Sequence, residues 1–257
     1  MKTYLHSLLS EWQKTRHSAA SWLVLIGGLF VSLLLTIVQS VYPDKLSPLA
    51  SKEHYWSKLF QHSWESMAIL LLPAGIIMAT SLIAQLEYRN HTWKQVFATP
   101  QRFSTLFFSK LTVVVILLLQ FFILNFIGLF LCAYLPGFWG SGGTPSFPPL
   151  DKIIDYNIRF FIASLPLLAI QFFIAMRYKN FLISIGIGIG ILVASIFAFS
   201  WKYGYLFPFA QIGMVFTQIT GHSRVPENFP QMLYSVLWFL GITASHFILY
   251  LSQKERA

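Results

Sequence analysis

The stretch LTVVVILLLQFFILNFIGLFLCAYL, residues 111–135, runs for 25 residues without a charged side chain. An α-helix rises 1.5 Å per residue, so about 20 residues cross a hydrocarbon core of ~30 Å. The stretch is therefore long enough to span a membrane with some tilt. Strands of a transmembrane β-barrel alternate apolar and polar residues, whereas this run is apolar almost throughout. The sequence predicts a membrane-spanning helix here.

Uncharged runs of similar length recur on both sides of this stretch. Together they predict six transmembrane helices, at about 20–41, 67–86, 106–135, 158–176, 180–200 and 232–251. Of the 257 residues, 56% are hydrophobic and 11% are charged, while ordinary soluble domains carry roughly 25% charged residues. So much apolar surface needs lipid as its solvent. The sequence predicts an all-α membrane protein with a single domain.

Residues 1–18 precede the first apolar run and have the pattern of an amphipathic helix. Apolar and aromatic residues recur there at helical spacing, and charged residues occupy the rest of the helical wheel; the recurring residues are Tyr4, Leu5, Leu8, Leu9 and Trp12. This pattern predicts an interfacial helix that lies on the membrane surface. A short helix packed on a partner protein has the same pattern, so both interpretations stay open.

A second segment outside the spans, residues 203–216, is apolar and aromatic but is interrupted by Pro208. It is too short to cross a membrane, because a spanning helix needs about 20 residues. We expect an outer re-entrant segment here, between transmembrane helices 5 and 6.

The charged residues indicate the orientation of the spans. With a cytoplasmic N-terminus, the inner segments hold eleven of the 18 lysines and arginines but only three of the nine acids. Cytoplasmic segments of membrane proteins carry such an excess of basic residues. The sequence therefore predicts a multi-pass protein with both termini in the cytoplasm. The topology of the spans explains the net charge of +9. Membrane lipid is therefore an expected partner, and nucleic acid is not.

Residues that could carry catalysis are scarce within the predicted spans. His246 is the only titratable ring well inside an apolar run, and it is either a proton relay or a neutral side chain packed on a neighbouring helix. No second histidine or carboxylate lies at helical spacing from it, which argues against a zinc protease. The sequence also lacks a Gly-x-Ser-x-Gly motif and a Gly-x-x-x-x-Gly-Lys-Ser/Thr phosphate loop. No catalytic, cofactor-binding or metal-binding residue is expected, and the chain is not expected to hydrolyse ATP itself.

Small residues four apart in the fifth span predict close helix packing. Gly186 and Gly190 form a Gly-xxx-Gly pair, and Ser184 and Gly188 form a second small pair. Such pairs let two helices approach closely. Packing within the chain is favoured over a seam between two chains, although both fit the pattern. In the second span, Pro73 removes a backbone donor and is expected to kink the helix.

The connection between the second and third spans carries the strongest local signal. Residues 87–105 are predicted to form a polar elbow, in which Thr92 is expected to cap a short helix at 93–98 that Pro100 ends. We expect Trp93 and Phe97 on the exposed face of that helix. Exposed aromatic residues suit docking into a groove on a partner, but an interfacial aromatic belt gives the same composition.

This elbow resembles the inner elbow of ABC-2-type permeases, the membrane subunits of one class of ATP-binding-cassette transporters. In that family the second span commonly ends in Glu-x-x-x-x-Thr. A short coupling helix, a proline, a basic residue and a lysine that opens the third span then follow. The matching residues here are Glu87, Thr92, Pro100, Arg102 and Lys110. Residues 88–91 depart from the family, which often has a small, glycine-containing segment there.

The resemblance extends over the whole chain and is greatest to permeases of bacterial lantibiotic-immunity and bacitracin-resistance exporters. It implies one ABC-2-type domain over residues 1–257, in the bacterial cytoplasmic (inner) membrane. It also implies two copies of a separate ATPase subunit, which carry the ATP and magnesium, and a second permease that is identical or related. The implied coupling residues are Glu87, Arg89, Thr92, Trp93, Lys94, Phe97, Pro100, Arg102 and Lys110.

On this resemblance, the chain is predicted to export a peptide antibiotic or another amphipathic compound. Substrate-facing residues are expected in the second and fifth spans, with Thr80 and Ser81 as the candidates. Two other classes of protein remain open. A structural or regulatory membrane subunit has the same topology without a transport path, and a membrane-embedded enzyme needs a catalytic cluster at one membrane depth.

Overall fold

The computed structural model describes residues 2–41, 55–89, 103–138, 147–223 and 225–254. Within these residues all regular structure is helical. The helices are α1 (Lys2–Arg16), α2 (Ala19–Val41), α3 (Tyr55–Ser66), α4 (Leu72–Arg89), α5 (Phe103–Phe138), α6 (Leu150–Arg177), α7 (Phe181–Ser200), α8 (Gln211–Ile219) and α9 (Gln231–Lys254).

Six helical segments of the described chain are long and apolar enough to cross a membrane, which confirms the predicted fold class. They are α2, the continuous segment formed by α3 and α4, and α5, α6, α7 and α9. Successive segments run in opposite directions. The α1 end of the bundle therefore contains α1, the end of α4 and the start of α5, whereas the far end contains α3, the start of α6 and α8.

A single wide turn joins α3 to α4 at Met67–Leu71. The N–H of Leu72 donates to the carbonyl of Met67, five residues earlier, which is the hydrogen bond of a π-helix. This turn lies directly before Pro73, the residue expected to disturb the helix because it has no N–H. The observed irregularity is therefore a wide turn on the N-terminal side of the proline.

The bundle has a central and a peripheral set of helices. Helix α6 contacts α4, α7, α8 and α9, while α2 packs on α4 and α5. In the most apolar window of α6, 61% of the residues are buried within the chain, against 28% in α2 and α7 and 11% in α9. The peripheral helices are thus the ones that present most surface to lipid or to another subunit.

Helix α1 presents three different faces. Ser7, Glu11 and Thr15 are four residues apart and are buried against the rest of the chain, because α1 packs on the start of α5. Leu5 and Leu9 are more than half exposed, and a third face carries polar residues. Such a helix suits a boundary between protein, lipid and water. The structure confirms the helix, and its position on the membrane surface stays a prediction.

The second and fourth helical segments extend further than the predicted spans 67–86 and 158–176. Helix α3 begins at Tyr55, and α6 begins at Leu150, directly after Pro149. Both extensions contain charged and polar residues, so these helices begin before the apolar runs do. Their apolar residues nevertheless pack inward, as Trp56 and Phe60 do at helical spacing in α3 and as Ile153 does in α6.

The segment after α7 turns back into the far end of the bundle. A short 3₁₀ turn at Gly204–Leu206 precedes α8, which packs against α6 and the π turn. The amide of Gln211 donates to the carbonyls of Tyr205 (2.6 Å) and Phe207 (2.9 Å), which ties α8 to the incoming chain. The nine-residue α8 is too short to cross a membrane, as expected for a re-entrant segment.

Candidate functional site

The predicted coupling elbow begins and ends at two helices of the α1 end. Glu87 and Arg89 belong to the last turn of α4, and α5 begins at Phe103. The remaining elbow residues, Thr92, Trp93, Lys94, Phe97, Pro100 and Arg102, lie outside the described residues. The elbow therefore stays a prediction, and its described flank is the start of α5.

Lys110, the last of the predicted elbow residues, forms a buried ion pair with α1. Its Nζ atom donates to Oε2 of Glu11 over 2.7 Å, and the two side chains are only 5% and 7% exposed. The other carboxylate oxygen of Glu11 accepts a hydrogen bond of 2.6 Å from Lys14. The lysine that opens the third span is thus held by an acid 99 residues earlier in the chain.

Two hydroxyl contacts flank this ion pair along the same interface. The Oγ atoms of Ser7 and Ser109 lie 3.0 Å apart, and the hydroxyls of Tyr4 and Thr112 lie 2.8 Å apart. With Glu11 and Lys110 they form a continuous row of polar contacts between α1 and the first turns of α5, which we call the polar clasp. Because Glu11 and Lys110 are buried, removing the charge of either one is costly for the other.

The charge state of Glu11 follows from its neighbours. Burial acts to raise the pKa of the Glu11 carboxyl, but the positive charges of Lys110 and Lys14 and their hydrogen bonds together hold that pKa below its ordinary value. Glu11 is therefore a carboxylate at neutral pH, and the clasp is a charge-assisted contact.

The candidate substrate-path residues Thr80 and Ser81 lie on different sides of α4. Thr80 lines an apolar cavity between α2, α4 and α5, and its hydroxyl donates to the carbonyl of Ile76 over 2.7 Å. The Oγ atom of Ser81 lies 2.9 Å from that of Ser184 on α7. Thr80 thus lies at a cavity, whereas Ser81 forms a hydrogen bond between α4 and α7.

Gln171 of α6 joins Ser81 and Ser184 in a fully buried cluster. Its Nε2 atom donates to Ser81 Oγ (3.1 Å), to the Ser184 carbonyl (3.1 Å) and to Ser184 Oγ (3.2 Å). One amide therefore links α4, α6 and α7 through hydrogen bonds, which hold helices together where lipid offers no hydrophobic driving force. The sequence analysis missed Gln171, although a lone amide in an apolar run was a usable signal.

The small pair that packs within the chain is Ser184 and Gly188. A Cβ atom on Gly188 would lie 2.5 Å from Ile77 Cγ2 and 2.8 Å from Gln171 Oε1, so only glycine fits at this approach. Gly186 and Gly190 lie on an exposed face of α7, where an added Cβ would meet nothing within 4 Å. The prediction that this pair packs within the chain is therefore wrong, because the helical rotation from 188 turns both outward.

His246 of α9 lies in an aromatic pocket at the contact of α9 with α5 and α6. Its ring is edge-on to Phe107, Phe172 and Phe173, with centroid separations of 4.9, 5.4 and 4.9 Å. This packing fits the interpretation as a packed side chain. Among the residues described, no group of three or more histidine, cysteine or acidic residues is placed to hold a metal ion.

The described residues define a class of protein, a helical membrane protein with six candidate spans, whose second and third spans flank the predicted elbow. A family model described as "ABC-2 family transporter protein" matches residues 7–195, and the chain belongs to this family. The matched region includes both partners of the Glu11–Lys110 pair and ends within α7. Neither a curated protein nor a solved structure gives a significant match to the chain.

Proposed function

We propose that this chain is the membrane-spanning subunit of an ATP-binding-cassette exporter that is powered by a separate ATPase subunit. Family membership is the observation that carries the proposal. The chain lies in a bacterial cytoplasmic membrane with both termini inside, since that orientation places eleven of the 18 basic residues on the cytoplasmic side. Its partners are two copies of the ATPase, which hold ATP and magnesium, and a second permease that is identical or related.

The polar clasp supports a mechanical role for the elbow. A closing ATPase dimer pushes on the elbow, and the push reaches the bundle through the end of α4 and the start of α5. Because Lys110 is bound to Glu11, the start of α5 moves together with α1. Helix α1 and the start of α5 therefore move as one rigid unit. Packed helices switch between discrete arrangements rather than deforming continuously.

The exported compound is amphipathic, and a peptide antibiotic is the candidate. The candidate substrate-path residue Thr80 lines a cavity that is otherwise apolar. A substrate with a large apolar surface suits such a lining better than a charged solute does.

The elbow is tested by purifying the tagged full-length chain from its native membrane and assaying ATP hydrolysis. We expect an ATPase to co-purify and the double variant Trp93→Ala/Phe97→Ala to lose it. The matched control is Phe197→Ala/Trp201→Ala, which removes the same two ring types at exposed positions of the far end. If both double variants retain the ATPase equally, the elbow is not the docking element.

A further inference from the structure

The cavity that Thr80 lines is elongated and almost entirely apolar. It has a volume of about 300 Å³ and lies between α2, α4 and α5. Its wall on the second span runs from Leu71 to Ile83, which corresponds to about 18 Å of helix. Its long axis therefore follows the helices, and so follows the direction of lipid tails in a bilayer.

The lining offers nothing that would hold a polar ligand. Thr80 is the only polar side chain among the lining residues, and its hydroxyl is already engaged by the Ile76 carbonyl. An apolar cavity of this kind stays dry. Leaving it empty would also cost its walls their van der Waals contacts.

The cavity opens sideways onto the surface that faces the membrane. Ile26, Phe30 and Met78 line it and are 62%, 43% and 41% exposed. Gly75 widens the opening, since a Cβ atom there would meet nothing within 4 Å. All four residues belong to candidate membrane-spanning segments, so the mouth is continuous with the lipid-facing surface.

We propose that this cavity is a binding site for one acyl chain of a membrane phospholipid. A helix from a second copy of the chain is about 10 Å across with its side chains and is too wide for this volume. A flexible hydrocarbon chain matches the length, the width and the lining. The cavity is also the one that the candidate substrate-path residue Thr80 lines, but acyl-chain binding needs neither an ATPase nor an exported compound, and the test below contains neither.

The test uses the full-length chain in lipid nanodiscs that contain a phosphatidylcholine with a diazirine near the end of one acyl chain. After irradiation, labelled peptides are identified by mass spectrometry. We expect labelling of residues 23–30 and 71–83 to exceed that of the exposed face of α7, which samples bulk lipid. Gly75→Leu fills the cavity and should lower this labelling about tenfold, because its side chain displaces about two methylenes or more of the bound chain.

Two further variants make the result specific. Gly241→Leu adds the same side chain on α9, where an added Cβ also meets nothing within 4 Å, and should leave the labelling unchanged. Gly75→Ala should give an intermediate loss, and alanine is favourable in a helix, so misfolding would not explain it. Equal labelling in the wild type, Gly75→Ala and Gly75→Leu would overturn the proposal. Cross-links from the cavity to a second copy, or labelling by a diazirine fatty acid but not by the phospholipid, would also overturn it.

Discussion

Two helix contacts at opposite ends of the bundle are of different kinds. At the α1 end, the polar clasp joins α1 to α5 through a buried ion pair of 2.7 Å and two hydroxyl contacts. At the far end, Trp64 stacks on Phe160 with a centroid separation of 3.8 Å, and further rings from α3, α5 and α6 surround them. Ion pairs and hydrogen bonds fix one geometry, whereas apolar rings tolerate small shifts.

This difference indicates that the contact of α1 with α5 is stiffer than the contact of α3 with α6. On the proposed coupling role, a push on the predicted elbow would be passed on through α1 and α5 together, because the polar clasp joins these two helices. The contact of α3 with α6 at the far end is packed by shape and dispersion, which drive helix association where lipid replaces water. Contacts of that kind permit rearrangement at modest cost, and we expect the far end to adapt while the α1 end transmits.

The largest effect is expected from removing the charge of Glu11. Glu11→Gln keeps the size of the side chain but removes the buried negative charge that pairs with Lys110. Such a change costs about 3–5 kcal/mol in buried pairs, and it should lower the thermal unfolding temperature of the chain in detergent. Lys14→Gln is the control, because Lys14 is 43% exposed and exposed pairs contribute about 0–1 kcal/mol. Equal losses in the two variants would contradict the clasp.

A slightly smaller loss is expected at the far end from Trp64→Ala. Trp64 is fully buried, and large-to-small changes at buried aromatic positions cost about 3 kcal/mol or more. Trp22→Ala is the control, since Trp22 is 60% exposed and should change the unfolding temperature little. If the truncation of Trp64 is tolerated as well as that of Trp22, the aromatic cluster does not hold the far end.

The contact of α7 with α4 and α6, midway between the two ends, is tested by glycine substitutions in α7. Gly188→Ala forces a methyl group against Ile77 and Gln171, and overpacking of this kind costs about 1–3 kcal/mol. Gly190→Ala places the same methyl group in open space and should cost nothing within the chain. A loss at position 190 that appears only in the assembled complex would instead indicate a contact with another subunit.

The pH dependence of the polar clasp is the smallest effect near neutral pH, because the lowered pKa keeps Glu11 ionised until the solution is acid. Since the pKa of Glu11 is lowered on folding, the stabilisation by the clasp is fully present above the unfolded carboxyl pKa of about 4.3. It is lost as the pH falls through the lowered folded value. Unfolding temperatures measured from pH 7 downward should therefore converge for the wild type and Glu11→Gln. A gap that persists or widens in acid would contradict this assignment.

The apolar runs were enough to predict six spans, because a membrane requires spanning helices of a certain length and composition, and both are visible in the sequence. They did not predict α3 or the first turns of α6, since those helices are amphipathic and carry charges outside the apolar runs. The sequence analysis did not predict the polar clasp, because the partner of Glu11 lies 99 residues further along the chain. Likewise, the Gly186–Gly190 pair and the Ser184–Gly188 pair have the same spacing, and only the rotation of α7 decides which one packs.

The proposed function of this chain, a permease beside a separate ATPase, is tested most directly by native mass spectrometry of the tagged chain, extracted gently from its native membrane. We expect an assembly of two permeases and two ATPase subunits, in which each copy of this chain contributes 29.4 kDa besides its tag. A folded chain recovered alone at that mass, with no ATPase bound under any gentle extraction, would contradict it.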